Sequence, residues 1–278
     1  MQISIIGLGL IGGSIAIDLR KRGFARRITG VETNHLHAHT ALNIGMVDEI
    51  LGLNEAIENS DLIIMAIPAN ETISLLPKIL DRVNDQIVTD TCSIKGNITE
   101  RIKYHNKRAN YVASHPMAGT EHSGPWAAQS GLYDGKAVIF CDVEDSSPEA
   151  LKIVRKMYDY LNMRHIYMNA YNHDVHVAYV SHISHISSFA LALTVLDKEK
   201  NEKNIFDLAS GGFDSTVRLA KSSAEMWTNV FENNAENVIS VLDTYIEKLK
   251  EFKIAIFQNE TNKISDMINK ANRIKKIL

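Results

Sequence analysis

The sequence Gly7-Leu8-Gly9-Leu10-Ile11-Gly12 follows the apolar run at residues 3–6 and precedes a helical stretch at residues 14–21. In that context the G-x-G-x-x-G spacing describes a dinucleotide site. Gly7 permits a tight turn, Gly9 lets the backbone approach a pyrophosphate, and Gly12 lets helix and strand pack closely. Leu10 and Ile11 complete the loop, and the helix start offers free N–H groups to phosphate oxygens. Glu32, twenty residues after Gly12, ends the second strand, where an acid takes the adenosine ribose hydroxyls. Thr33, Asn34 and His35 include no arginine for a 2′-phosphate, so NAD is expected rather than NADP. Ile67 and Pro68 close another strand and should border the same crevice. The competing reading is a glycine turn in a flavodoxin-like fold without a cofactor.

Four further stretches carry polar residues that a scaffold would not need. Asp90-Thr91-Cys92-Ser93-Ile94-Lys95 stands at the carboxyl end of a strand, where Ser93 either binds the nicotinamide or caps the next helix. His115 opens the segment at residues 115–124, again just after a strand, with an imidazole suited to accept a hydroxyl proton near neutral pH. An exposed loop histidine is the plainer alternative. His182 and His185 are three apart on a helix and share a face, with Asp174 two turns earlier. They fit a substrate- or anion-facing pair better than a metal site, since no H-E-x-x-H pattern is present; no metal is expected. Arg218 follows the turn Gly211-Gly212 and offers a bidentate fork for a carboxylate, or a surface ion pair.

The elements positioning these residues fall into two halves. Short β-branched runs at residues 3–6, 28–31, 62–67, 87–89, 111–113, 137–141 and 165–168 alternate with helical stretches. Such runs build a largely parallel sheet covered on both faces. From about Asn169 the strand signals stop, and residues 171–196 and 225–257 have helical apolar spacing. Residues 259–278 carry Ile264, Met267, Ile268, Ala271 and Ile274 on one stripe, and residues 209–212 are a loop by composition. The expected fold is α/β: a doubly wound domain over 1–168, then an all-helical domain over 169–278. Apolar stripes on long helices suit a homodimer through the helical half.

Composition removes several classes. Lys+Arg at 30 against Asp+Glu at 33 gives a net charge of -3, which argues against a nucleic-acid surface. Two cysteines provide neither a disulfide framework nor a cysteine zinc cluster. Residues 1–6 have no signal-peptide character, and no apolar run approaches the roughly 20 residues that cross a bilayer. No membrane partner is expected, and the cytoplasm is the expected compartment.

Taken together and in this order, the glycine loop and the four stretches resemble the prephenate and arogenate dehydrogenases over nearly the whole chain. Residues 115–124 are the most distinctive part of the likeness. The resemblance implies a Rossmann-type NAD domain and oxidative decarboxylation of prephenate in tyrosine synthesis. It implies that His115 accepts the ring-hydroxyl proton, that Ser93 orients His115 and touches the nicotinamide, and that Arg218 holds a substrate carboxylate. It also places Thr120, Glu121, His182, His185 and Trp227 around the substrate. The chain departs from the family pattern at Ser184, where proline is usual, at Ser215, where an acid is usual, and at Cys92, where glycine is common. Without that acid, Asp214 is the candidate partner for Arg218. Arogenate is the alternative substrate. A 3-hydroxyacid dehydrogenase would need a lysine where the helix carries histidines, and a non-catalytic NAD-binding protein would leave His115, Ser93 and Arg218 without a joint purpose. No N-terminal mutase segment or appended amino-acid-sensing domain is expected, so tyrosine feedback would act at or near the active site.

Overall fold

A computed structural model describes residues 1–200 and 204–277. Eight strands form one sheet: β1 (Gln2–Ile6), β2 (Arg27–Val31), β3 (Glu49–Ile50), β4 (Leu62–Met65), β5 (Ile87–Asp90), β6 (Tyr111–Pro116), β7 (Ala137–Cys141) and β8 (Arg164–Met168). Their spatial order is β3-β2-β1-β4-β5-β6-β7-β8. The first six run parallel, while β7 pairs antiparallel with β6 and parallel with β8. Two features differ from expectation. β3 has only two residues, too few for a periodic signal, and the apolar runs that reveal β7 and β8 carry no information on direction.

Side chains alternate between two cores, as the two-residue period of a strand requires. Val138 and Phe140 join Ile3, Ile5 and Ile28 on one face, under Ile15 and Leu19 of the helix Leu10–Lys21 and Met157 of the helix Pro148–Tyr160. Ile139 and Cys141 join Met65 and Val88 on the other, under Leu76 of the helix Ala69–Leu80, Ile98 of the helix Gly96–Arg101, and Trp227. Both faces are covered by helices, which completes the doubly wound sandwich.

Register brings the site loops to one edge. Ile6 pairs with both Val31 and Met65, and Met65 pairs with Asp90. The glycine loop, Glu32, Ala66 and the loop after Asp90 therefore leave the sheet side by side at its carboxyl edge. Strand order also reverses direction there, between β1 and β4, where open α/β sheets bind ligands.

Beyond Asn169 every described element is helical. Ala170–Glu199 is one continuous helix of 30 residues, long and apolar enough by length and composition to cross a membrane. That corrects the expectation that no segment approached this length. The helix turns His173, Asp174 and His182 inward and leaves Tyr179, Val180, Leu193 and Leu196 exposed. Within it, Ala178–His182 forms a π-turn, a local widening that places an extra residue in the turn before His182. Two further expectations shift. Gly211 and Gly212 begin a helix, Gly211–Val217, instead of forming a loop. The predicted helix at 225–257 is two, Ala224–Asn233 and Ala235–Phe257. The chain divides into two compact units, Met1–Asn234 and Ala235–Leu278. In the second, the helices Ala235–Phe257 and Thr261–Ala271 leave Ile246, Leu249, Ile256 and Ile268 exposed.

Candidate active site

Each glycine of the loop meets a different constraint. Gly7 adopts φ +90°, and a Cβ there would lie 2.5 Å from the Ala66 carbonyl oxygen and 2.7 Å from Ile67 Cγ2. A Cβ on Gly12 would lie 2.1 Å from the Gly7 carbonyl oxygen. A Cβ on Gly9 would meet nothing within 4 Å. Gly7 and Gly12 thus serve packing, while Gly9 fronts open space. The helix beginning at Leu10, with Ile11 and Gly12 in its first turn, has no side-chain cap, so its leading N–H groups are available to an anion. Glu32 braces the loop: Oε2 accepts from Leu8 N–H at 3.0 Å and Oε1 from Asn34 N–H at 2.9 Å. Pro68 stands before the first residue of the helix Ala69–Leu80 beside the same edge. The uncapped helix start, the open face at Gly9 and the acid at the end of β2 fit NAD. These residues would hold it through pyrophosphate and ribose.

The floor beside this edge is a buried polar network. Lys95 Nζ lies 2.5 Å from Asp90 Oδ2 and 2.7 Å from the Cys92 carbonyl oxygen, and Tyr111 Oη donates to Asp90 Oδ1 at 2.6 Å. Both side chains of the Lys95–Asp90 pair are fully buried. This network fixes the loop carrying Ser93. Burial pushes the Cys92 thiol up to about 12, so it is an inert packing group at neutral pH. Ser93 is half-buried, and of its two sequence readings the helix cap is not seen. The helix Gly96–Arg101 takes no side-chain cap from it, and among the described residues it forms no hydrogen bond to His115.

His115 lies at the end of β6, 8% exposed, with its partner on the helical half. Its Nδ1 is 2.8 Å from Nε2 of His173, and Nδ1 of His173 is 2.7 Å from Asp174 Oδ1. Asp174 in turn accepts the backbone N–H of Lys95 at Oδ1, 2.8 Å, and of Gly96 at Oδ2, 2.7 Å. One carboxylate thereby joins the first helical segment to the loop of Ser93. Burial holds the His115 imidazole well below its ordinary range, helped by His173, Lys95 and His182, and burial also lowers His173. Both shifts favour the neutral ring. The segment after His115 is tied back to the glycine-loop helix: Gln129 N–H donates to Ser14 Oγ at 3.0 Å, and Ser130 Oγ to Asp18 at 2.7 Å.

The predicted substrate residues gather around Trp227. The His185 ring stacks on Trp227 with centroids 3.5 Å apart, and His182 meets it edge-on at 5.8 Å. Asn234 Nδ2 donates to the Asp174 carbonyl oxygen at 2.8 Å and contacts His182 Nδ1 at 3.2 Å. An amide N–H donor at His182 Nδ1 puts the ring proton on Nε2. That buried Nε2 and Trp227 Nε1 have no hydrogen-bond partner among the described residues, which leaves two donors for an acceptor atom. Burial lowers His182 to about 4, and it lowers His185 with a smaller contribution from Arg218.

Arg218 Nη1 pairs with Glu121 Oε2 at 3.0 Å, and Thr120 Oγ1 accepts from His122 N–H at 3.2 Å, shaping the loop that carries Glu121. Asp214, the expected partner of Arg218, pairs instead with Lys221 at 2.9 Å. Ser215 donates to the Gly212 carbonyl within its own helix, and Ser184 is exposed. Among the described residues no group of three or more His, Cys, Asp or Glu side chains could hold a metal ion.

His173 and Asn234 were missed as site residues. The spacing His173-Asp174 at the start of a helix was the available signal, and only the fold shows that it faces His115, 58 residues away.

Residues 15–167 match the family model described as prephenate dehydrogenase, nucleotide-binding domain, and residues 169–270 match the prephenate dehydrogenase dimerization domain. A prephenate dehydrogenase of Lactococcus lactis subsp. cremoris is 28% identical, covering 100% of this chain and 77% of that protein. The crystal structure of the Aquifex aeolicus prephenate dehydrogenase with hydroxyphenyl propionate and NAD+ superposes with a TM-score of 0.91 at 28% identity, covering 100% of this chain and 97% of that one. The Synechocystis arogenate dehydrogenase structure superposes at 0.78 with 26% identity, covering 99% of both chains.

Proposed function

The chain belongs to the prephenate dehydrogenase family of NAD-dependent oxidoreductases, and on that premise we propose that it converts prephenate to 4-hydroxyphenylpyruvate for tyrosine synthesis. One observation carries the reading: a buried His115 stands at the carboxyl edge of the sheet that also carries the glycine loop, with one ring nitrogen already engaged. NAD, when bound, supplies the hydride acceptor. His115 takes the proton of the ring hydroxyl through its other nitrogen, Nε2, as the C4 hydrogen departs as hydride. The ring carboxylate leaves as CO2, and the electrons of its bond complete the aromatic ring. Aromatisation drives the reaction, so the chain's task is to place the base and align the ring.

Arg218 binds a substrate carboxylate in this reading, with Glu121 and Thr120 on the same loop side. His182 and Trp227 donate N–H groups to substrate oxygens, and His185 is ordered by its stack on Trp227. Ser93 sits on the nicotinamide side. We also propose a homodimer through the helical half and a cytoplasmic location. The exposed apolar side chains of the helices, together with the match to a dimerization-domain model, support the dimer. Absorbance of NADH formed with purified chain, first on prephenate and then on arogenate, tests the reading. NADH from prephenate supports it, turnover of arogenate alone moves the substrate, and no NADH from either overturns it.

A further inference from the structure

We propose that His173 is the positioning residue for His115, holding it in the tautomer with the proton on Nδ1 so that Nε2 carries the free lone pair. The inference rests on the reading of His115 as the base and goes beyond it by assigning what sets its chemistry.

The chain of contacts starts at Asp174. Asp174 receives two backbone N–H groups, from Lys95 and Gly96, and with the third contact to His173 it acts as an acceptor throughout. His173 must then place its ring proton on Nδ1, facing Asp174 at 2.7 Å. A neutral imidazole has one N–H and one lone pair, so His173 Nε2 is an acceptor. Among the described residues the group opposite it is His115 Nδ1, at 2.8 Å, which must therefore be the donor. His115 Nε2 is left unprotonated. A lone histidine would divide between two tautomers and rotate; this one has both choices removed before substrate arrives. The nearly perpendicular rings, 72° between planes, are consistent with a hydrogen bond in the plane of one ring and reject a stacked arrangement.

Burial suits this role. His173 is completely buried, which shields its ring proton from solvent. The charged and titratable groups acting on the pair are Asp90 and Lys95 from β5 and its loop, Asp174 beside His173, and His182 from the π-turn. Burial is the largest influence on both imidazoles and favours their neutral form, in which the relay has a single direction.

The polarity of the chain gives a test that a packing role would not pass. In nitrogen-15 histidine NMR of the whole chain, the His115 signals, assigned by their loss in His115→Asn, should show a protonated Nδ1 and an unprotonated Nε2. A protonated Nε2 or a tautomer mixture overturns the proposal. Kinetically, His173→Leu should lower kcat about 10²-fold or more and leave KM for prephenate and NAD within about threefold, while His173→Gln, whose amide can accept from His115 Nδ1 and donate to Asp174, should recover to within about tenfold of wild type. Equal loss in both variants, or full activity in His173→Leu, overturns it. The NMR reading uses no substrate, so it decides the tautomer separately from whether prephenate is the substrate.

Discussion

Arg218 and Glu121 pair at 3.0 Å across 97 residues of sequence, joining the helical half to the loop beyond His115. The guanidinium is half exposed, so the pair contributes little to stability but sets where the fork points. Arg218→Ala should leave the thermal midpoint close to wild type and raise KM for prephenate by roughly 10- to 150-fold, the factor carried by the loss of a charged hydrogen bond. Steady-state kinetics beside a melting curve separates the two effects, and an unchanged KM would remove Arg218 from substrate binding.

The lowered His115 implies a pH profile. In its proposed role as base it acts when unprotonated, so kcat/KM should stay level as pH falls through 6.5 and decline only below that, where the buried ring takes a proton. A decline centred at 6.5 would contradict the burial seen here. His115→Asn should cut kcat by about 10²–10⁴-fold and leave NAD affinity nearly intact, measured by fluorescence titration.

The glycines should separate under mutation. Gly12→Ala drives a methyl against the Gly7 carbonyl oxygen and should lower both the melting temperature and NAD affinity. Gly9→Ala adds its methyl to open space, so the chain should melt as wild type while NAD binding weakens. Equal NAD affinity in Gly9→Ala and wild type would place the pyrophosphate elsewhere.

Acid should destabilise the fold through His182. Its folded value is about 4 against an ordinary 6.5, so the unfolded chain binds the proton more readily between those values. The associated stability is fully present above pH 6.5 and is lost as pH falls toward 4, at about 1.4 kcal/mol per pH unit for one proton. Urea unfolding at pH 7 and pH 5 should show a smaller difference in His182→Gln than in wild type.

The parts legible in sequence were those whose partners are local. The glycine loop, its strand and its helix lie within twenty residues, and alternating apolar runs revealed seven of the eight strands. His115 and Arg218 could be proposed from their type and position. Their partners could not: His173 and Glu121 become neighbours only when the helices fold onto the sheet. Asp214 is nearer to Arg218 in sequence, but helix geometry gives it to Lys221. Gly211-Gly212 shows the converse, a sequence that favours a turn yet is wound into helix, Gly211–Val217, by its tertiary setting.

The sealed Lys95–Asp90 couple has a consequence for the enzyme's response to electrolyte. Ions in solution screen exposed charges and hardly reach buried ones. With Arg218 as the proposed carboxylate ligand, added potassium chloride should raise KM for prephenate while kcat stays almost constant. The fold divides its electrostatics into a salt-sensitive surface and a salt-indifferent interior.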